Sequence, residues 1–189
     1  MVRYVLSRIV FLKVLLLGKL VGISYVVGYL RNPNPLATIQ LLRAFGAEIG
    51  EGTTVKRAVL IDNAYEDENS SGDFRYLRIG KNCYIGDAVY LDLANRITFG
   101  DNVVISGQVS IITHADCNRS ECLNRIFPRQ CASVTIGNGA WLGFRTTILH
   151  GVTVGENTLI AAHALLRDNA DSRSVYTGVP ARKIRELVE

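Results

Sequence analysis

From Ile136 onward an aliphatic residue returns every six positions: Ile136, Leu142, Ile148, Val154, Ile160 and Leu166. The same spacing starts at Ile49, Val55 and Ile61, resumes at Ile79, Ile85 and Leu91, slips by two residues across 93–96, and restarts at Phe99, Ile105 and Ile111. Glycine commonly follows the aliphatic position, as at Gly50, Gly80, Gly86, Gly100, Gly137, Gly143 and Gly155. Small or β-branched residues recur four positions after it, among them Thr53, Val89, Val103, Ala140, Thr146 and Thr158. A helix repeats at 3.6 and a lone strand at 2, so neither explains a period of six. A three-sided solenoid does, with one short strand per face, each aliphatic side chain on the axis, and a glycine keeping the corner free of a side chain. Three such units close one coil. About five coils stacked as parallel strands ~4.8 Å apart make a prism roughly 24 Å long.

Two polar stretches interrupt the pattern, at 65–76 and roughly 115–132. A flat face over a packed interior offers little chemistry, so a site is expected where the repeat breaks. Ahead of the repeat, Asn34 and Pro35 suit a helix start and Gly46 its end, with Leu36, Ile39, Leu42 and Phe45 at helical spacing, which predicts a helix over 35–45. Residues 9–30 are strongly apolar and predict one further helix, interrupted by Lys13 and Lys19. Three placements are open for it: in the plane of a membrane surface, buried against the domain or another subunit, or spanning a bilayer. The charges weigh against the last. No acidic residue precedes Glu48, while Arg3, Arg8, Lys13, Lys19, Arg31 and Arg43 all do, so anionic lipid suits this segment. The expected organisation is a helical segment over 1–46 and a β-helix domain over 47–189.

The net charge of +4 is modest and no basic–aromatic face is evident, which argues against nucleic acid. Cys83, Cys117, Cys122 and Cys131 form no CxxC pair, and free thiols in a reducing cytoplasm account for them. His114 stands at the mouth of the second interruption, and imidazole is the side chain best suited to take a proton near neutral pH.

The repeat units, and above all "VTIGNGAWLG", "ILHGVTVGENTLIAA" and "VYTGVPARKIRE", resemble the hexapeptide-repeat acyltransferases over about 36–187. That resemblance implies an all-β fold, a left-handed parallel β-helix with N-terminal helices and an excursion loop near 115–133. It implies an acetyltransferase that moves an acetyl group from acetyl-CoA, with His114 as general base and Asp116 orienting it or contacting the acceptor. It places CoA contacts at Trp141, Phe144, Ala162, Arg167, Arg182, Lys183 and Arg185. Phe144 departs from the family's usual serine or alanine, and Arg167-Asp168 from its usual Thr-Lys. His150 and His163 fall on ordinary repeat positions, the latter near the expected cofactor groove. No metal is expected: the histidine separations of 36 and 13 do not match the zinc-site spacing of related β-helices.

The family's trimers hold CoA between prisms, so a homotrimer is implied. A sugar hydroxyl in surface or exopolysaccharide synthesis is the leading acceptor, with Asp87, Asp92 and Asn95 as candidate sugar ligands and a peripheral place on the cytoplasmic membrane face. N-acylation of a nucleotide-linked amino sugar, and a non-catalytic scaffold, are the alternatives.

Overall fold

The computed structural model describes residues 2–33, 35–117 and 119–188. Its repeat region winds into a prism of three parallel sheets. Face A stacks Glu48–Ile49, Leu77–Ile79, Ile97–Phe99, Val134–Ile136 and Thr153–Val154. Face B stacks Thr54–Val55, Tyr84–Ile85, Val104–Ile105, Trp141–Leu142, Leu159–Ile160 and Ser174–Gly178. Face C stacks Leu60–Asp62, Tyr90–Asp92, Ser110–Ile111, Thr147–Ile148 and Leu165–Leu166. Register keeps like with like: Ile49 pairs with Ile79, Ile79 with Phe99, Phe99 with Ile136 and Ile136 with Val154. Every axis position named above is buried. Inside the uninterrupted repeats the residue four places on is buried too, and where it is threonine its hydroxyl donates to a carbonyl, as Thr53 does to Gly80 (2.7 Å) and Thr158 to Asp171 (2.6 Å).

The corners divide two jobs that the sequence pattern merges. The glycine after the axis residue serves close approach between coils: a Cβ on Gly80 would lie 2.4 Å from the Gly100 carbonyl oxygen. The left-handed turn is made two residues later, at Asn82, Ala88, Asn102, Gln108, Asn157 and His163, with φ between 53° and 60°. At the slip over 93–96 the chain widens the corner between faces C and A. Leu77, Ile97 and Val134 form an extra buried ladder there, and Leu93 and Phe74 fill behind it.

The N-terminal segment differs from the single helix expected over 9–30. α1 (Val2–Val21) and α2 (Ile23–Leu30) are separated at Gly22, whose φ of 114° and ψ of 168° suit glycine alone. The bend turns Val26, Val27 and Leu30 inward, and α2 packs beside Leu60–Asp62. α3 (Pro35–Ala44) buries Ala37, Thr38, Leu41 and Leu42 against the first coil and ends at Gly46, φ 104°. The expected Asn34 cap and the Leu36 side chain lie outside the described residues. Among the described residues no helix is long and apolar enough to cross a membrane.

Candidate active site

His114 leaves the widened C–A corner just after the third coil, where His114–Ala115 pairs antiparallel with Gln130–Cys131 to open the excursion. Below it lies Asp92, the last residue of its face C strand, with its side chain only 1% exposed. Asp92 Oδ2 accepts from His114 Nδ1 at 2.7 Å and from the backbone N–H groups of Thr113 (2.7 Å) and His114 (3.1 Å). Oδ1 accepts from Asn63 Nδ2 (2.9 Å) and the Ala94 N–H (3.2 Å). Burial opposes the charged form of Asp92, yet the hydrogen bonds from Asn63, His114, Thr113 and Ala94 outweigh it and hold the carboxyl below the usual carboxylate range. An ionised carboxylate only accepts, so the partly buried ring donates from Nδ1, and in the neutral ring Nε2 is then the nitrogen with the lone pair. This is the tautomer a general base needs, and the buried charge would stabilise an imidazolium formed on that ring.

Asp92 is therefore not a sugar ligand, as the sequence suggested, because both oxygens are sealed and engaged. Nor does Asp116 orient the imidazole. Its carboxylate takes Arg129 at 2.6 Å, and the same guanidinium donates to both oxygens of Asp67 at 2.7 Å. Arg129 thus clips the second excursion to the first at the corner that carries His114. A cleft of about 270 Å³ opens beside it, lined by Ala115, Asp116, Cys117, Ile126, Phe127, Pro128 and Gln130. Asn95 stays close: its backbone N–H donates to Thr113 Oγ1 (3.0 Å), whose hydroxyl in turn donates to the Asp92 carbonyl (2.8 Å).

The other candidates gather elsewhere. Asp87, Phe144, Ala162 and His163 line the corner between faces B and C, and face C separates them from His114, six residues of chain or roughly 20 Å at ~3.3 Å per residue. Asp87 there accepts the Arg57 N–H at 3.0 Å. Phe144 is partly exposed, with the His163 ring edge-on at 5.9 Å and the Arg145 guanidinium 5.2 Å from its centroid. Trp141 points outward from face B, half exposed, and donates to Ser106 Oγ (3.1 Å).

The basic tail runs antiparallel along the last face B strand as Ala181–Glu186. Asp168 sits 3.3 Å from Arg167 and 3.6 Å from Arg182, while Lys183 reaches Asp171 (3.1 Å) and Glu186 (2.7 Å). These exposed pairs are weak and open to exchange for a phosphate. Arg185 makes no ion pair with a described residue. The four cysteines are free, and burial pushes the Cys83 thiol up.

Comparison with known proteins places this geometry. Residues 133–168 match the family described as Bacterial transferase hexapeptide (six repeats). The Escherichia coli (strain K12) protein WcaF, assigned to colanic acid biosynthesis as an acetyltransferase, is 30% identical over 149 residues, covering 79% of this chain and 74% of WcaF. The chain belongs to the hexapeptide-repeat transferase family. As a member it is an acyltransferase. The galactoside O-acetyltransferase of the same strain is 32% identical over 118 residues, covering 59% of this chain and 58% of that one. Among solved structures, a maltose O-acetyltransferase from Clostridium difficile 630 superposes with a TM-score of 0.66 at 21% identity, covering 86% of this chain and 83% of that one. The fold shared across the family is the left-handed parallel β-helix.

Asp92 is the residue whose place beside His114 sequence reasoning missed. Its signal was the register: Leu91 pairs with Ile111, which sets Asp92 beneath the turn that delivers His114. Reading that register needs the coils stacked first.

Proposed function

We propose that this transferase moves an acetyl group from acetyl-CoA to a saccharide hydroxyl in the assembly of a surface polysaccharide. The observation that carries the reading is the His114 ring held at 2.7 Å on the buried Asp92 carboxylate and left partly exposed at the corner where the repeat breaks. The acceptor hydroxyl gives its proton to Nε2 as its oxygen attacks the thioester carbonyl. The tetrahedral adduct then expels the CoA sulfur, and the imidazolium returns the proton to that sulfur. Base assistance of this kind contributes about 10²–10⁴-fold. Cations at the C-terminal end of the prism suit the CoA phosphates, Arg185 foremost because it makes no ion pair with a described residue, with Arg167, Arg182 and Lys183 around it. Trp141, Phe144 and Ala162 would border the pantetheine.

In one chain these groups sit on a different corner from His114. Three copies packed with face C toward a common axis bring the C–A corner of one to the B–C corner of the next, which unites base and cofactor groove. Asp87 and Asn95 would then approach the acceptor from opposite sides. Free thiols and acetyl-CoA both suit a reducing compartment, which supports a cytoplasmic reading, with the helical segment 1–46 toward the membrane and the β-helix 47–189 carrying the chemistry.

The test is acetyl-CoA consumption with free sugars, nucleotide amino sugars and lipid-linked saccharides as acceptors. Transfer to a saccharide hydroxyl, with kcat lowered about 10²–10⁴-fold by His114→Ala, is expected. Unchanged transfer in that variant would sink the base assignment, and transfer to amines alone would sink the acceptor class.

A further inference from the structure

α1 has two unlike faces. Ser7, Val14 and Gly18, flanked by Phe11 and Leu15, turn toward α2 and α3, where Gly18 approaches Val26 and Phe45. On the other side Val5, Leu6, Ile9, Leu12, Leu16 and Leu20 are each between 53% and 73% exposed. At 100° per residue, Val5, Ile9, Leu12, Leu16 and Leu20 fall within a sector about 80° wide and run about 22 Å along the helix. Arg8 and Lys19 border this stripe on one side and Lys13 on the other, all exposed. None of the three makes an ion pair with a described residue. Continuous exposed apolar surface of this kind is commonly an interaction site.

We propose that this stripe is a docking surface for an anionic lipid bilayer, with α1 lying in the plane of the headgroups. Its aliphatic side chains would enter the acyl boundary, and Arg8, Lys13 and Lys19 would meet lipid phosphates. Charge decides the occupant. The first 47 residues contain no acid, so a second copy laid on the stripe would bring cations against cations with nothing to neutralise them. α1 packs chiefly on α2 and α3, and those pack on the first coil, so the stripe lies on the far side of a helical layer from the prism. Two helix layers of ~8–10 Å and two coil spacings of ~4.8 Å then hold His114 about 25–30 Å from the lipid. Resting on the acetyltransferase reading above, the acceptor is a saccharide tethered in the same membrane, modified some distance out from its anchor.

The direct test is flotation of the full chain with vesicles of phosphatidylcholine alone or with about 30% phosphatidylglycerol. Removing residues 1–30 is unsuitable, because Val26, Val27 and Leu30 belong to the core. The variants are Ile9→Glu with Leu16→Glu, Leu20→Glu alone, and Arg8→Glu with Lys13→Glu and Lys19→Glu, each checked by circular dichroism and melting. The parent chain should float with the anionic vesicles. The apolar-stripe variants should lose at least about tenfold in partition while acetyl transfer to a soluble acceptor is kept, and the charge variant should lose its preference for anionic lipid. A parent chain that stays unbound on anionic vesicles overturns the proposal. So does a fall in oligomer size on Leu20→Glu, which would assign the stripe to another copy. Flotation without acetyl transfer to any saccharide would leave docking standing and remove the acetyltransferase reading instead.

Discussion

Asp92 shows how one side chain changes role with its surroundings. In the sequence it is an acid on an outward strand position, fit to bind a sugar. In the fold, Asn63, Thr113, Ala94 and His114 close over it and use both oxygens. Asp92→Asn puts an amide N–H where only acceptors fit, so stability at neutral pH should fall by about 2–3 kcal/mol in denaturant titration. Because Nδ1 would lose its fixed partner, kcat should drop at least roughly tenfold with KM for acetyl-CoA unchanged. Asp92 has a folded pKa below its unfolded one, so the unfolded chain takes the proton first as pH falls. The stability it contributes is present at neutral pH and is lost as pH falls through the carboxylate range and below. Acid unfolding of Asp92→Asn should therefore decline less steeply than that of the parent between about pH 5 and 2. An equal slope would mean that Asp92 is not the ionised member of the pair.

A coil closes because its axis residue, its glycine and its left-handed residue each meet a separate demand. The first two demands are legible in sequence, since burial selects aliphatics and coil contact excludes a Cβ. The third is partly hidden, because asparagine, alanine, glutamine and histidine all occupy the left-handed position. Gly80 and Gly28 make a matched pair for testing this. Alanine at Gly80 meets the backbone of the next coil at 2.4 Å, whereas at Gly28, inside α2, it meets nothing within 4 Å. Calorimetry should show Gly80→Ala destabilised by about 1–3 kcal/mol from overpacking, and Gly28→Ala unchanged or stabilised by about 0.5–1 kcal/mol from helix propensity. Equal melting points would remove close approach as the reason for the glycine. The break at Gly22 is the element-scale feature that hydropathy missed, because both helices it separates are apolar and only the bend sends one into the core.

The proposed trimer would join two corners of the prism, C–A from one chain and B–C from the next, in one shared site. Mixing two inactive variants tests this. His114→Ala removes the base from the C–A corner, and Ala162→Trp fills the groove at the B–C corner. If each site takes one corner from each of two copies, random 1:1 assembly restores about a quarter of the sites, because that is the chance that an intact C–A corner meets an intact B–C corner. Activity that stays at the level of the separate variants, or a fully active monomer by light scattering, would rule out a shared site.

The six-residue period by itself determined the three-sided coil and its buried axis, because a repeated local demand leaves a repeated letter. The resemblance carried by the C-terminal repeats pointed to acyl transfer and to His114, since the histidine stands where the repeat breaks. Only the tertiary structure decided that Asp92, not Asp116, holds the imidazole, that Arg129 clips the two excursions together, and that the basic tail lies a face away from the base. It also resolved the apolar N-terminus into a helix packed in the core and a second with a free stripe. The physical reason is common to all of these. They depend on which residues distant in sequence come to cover one another, and neither composition nor period records that.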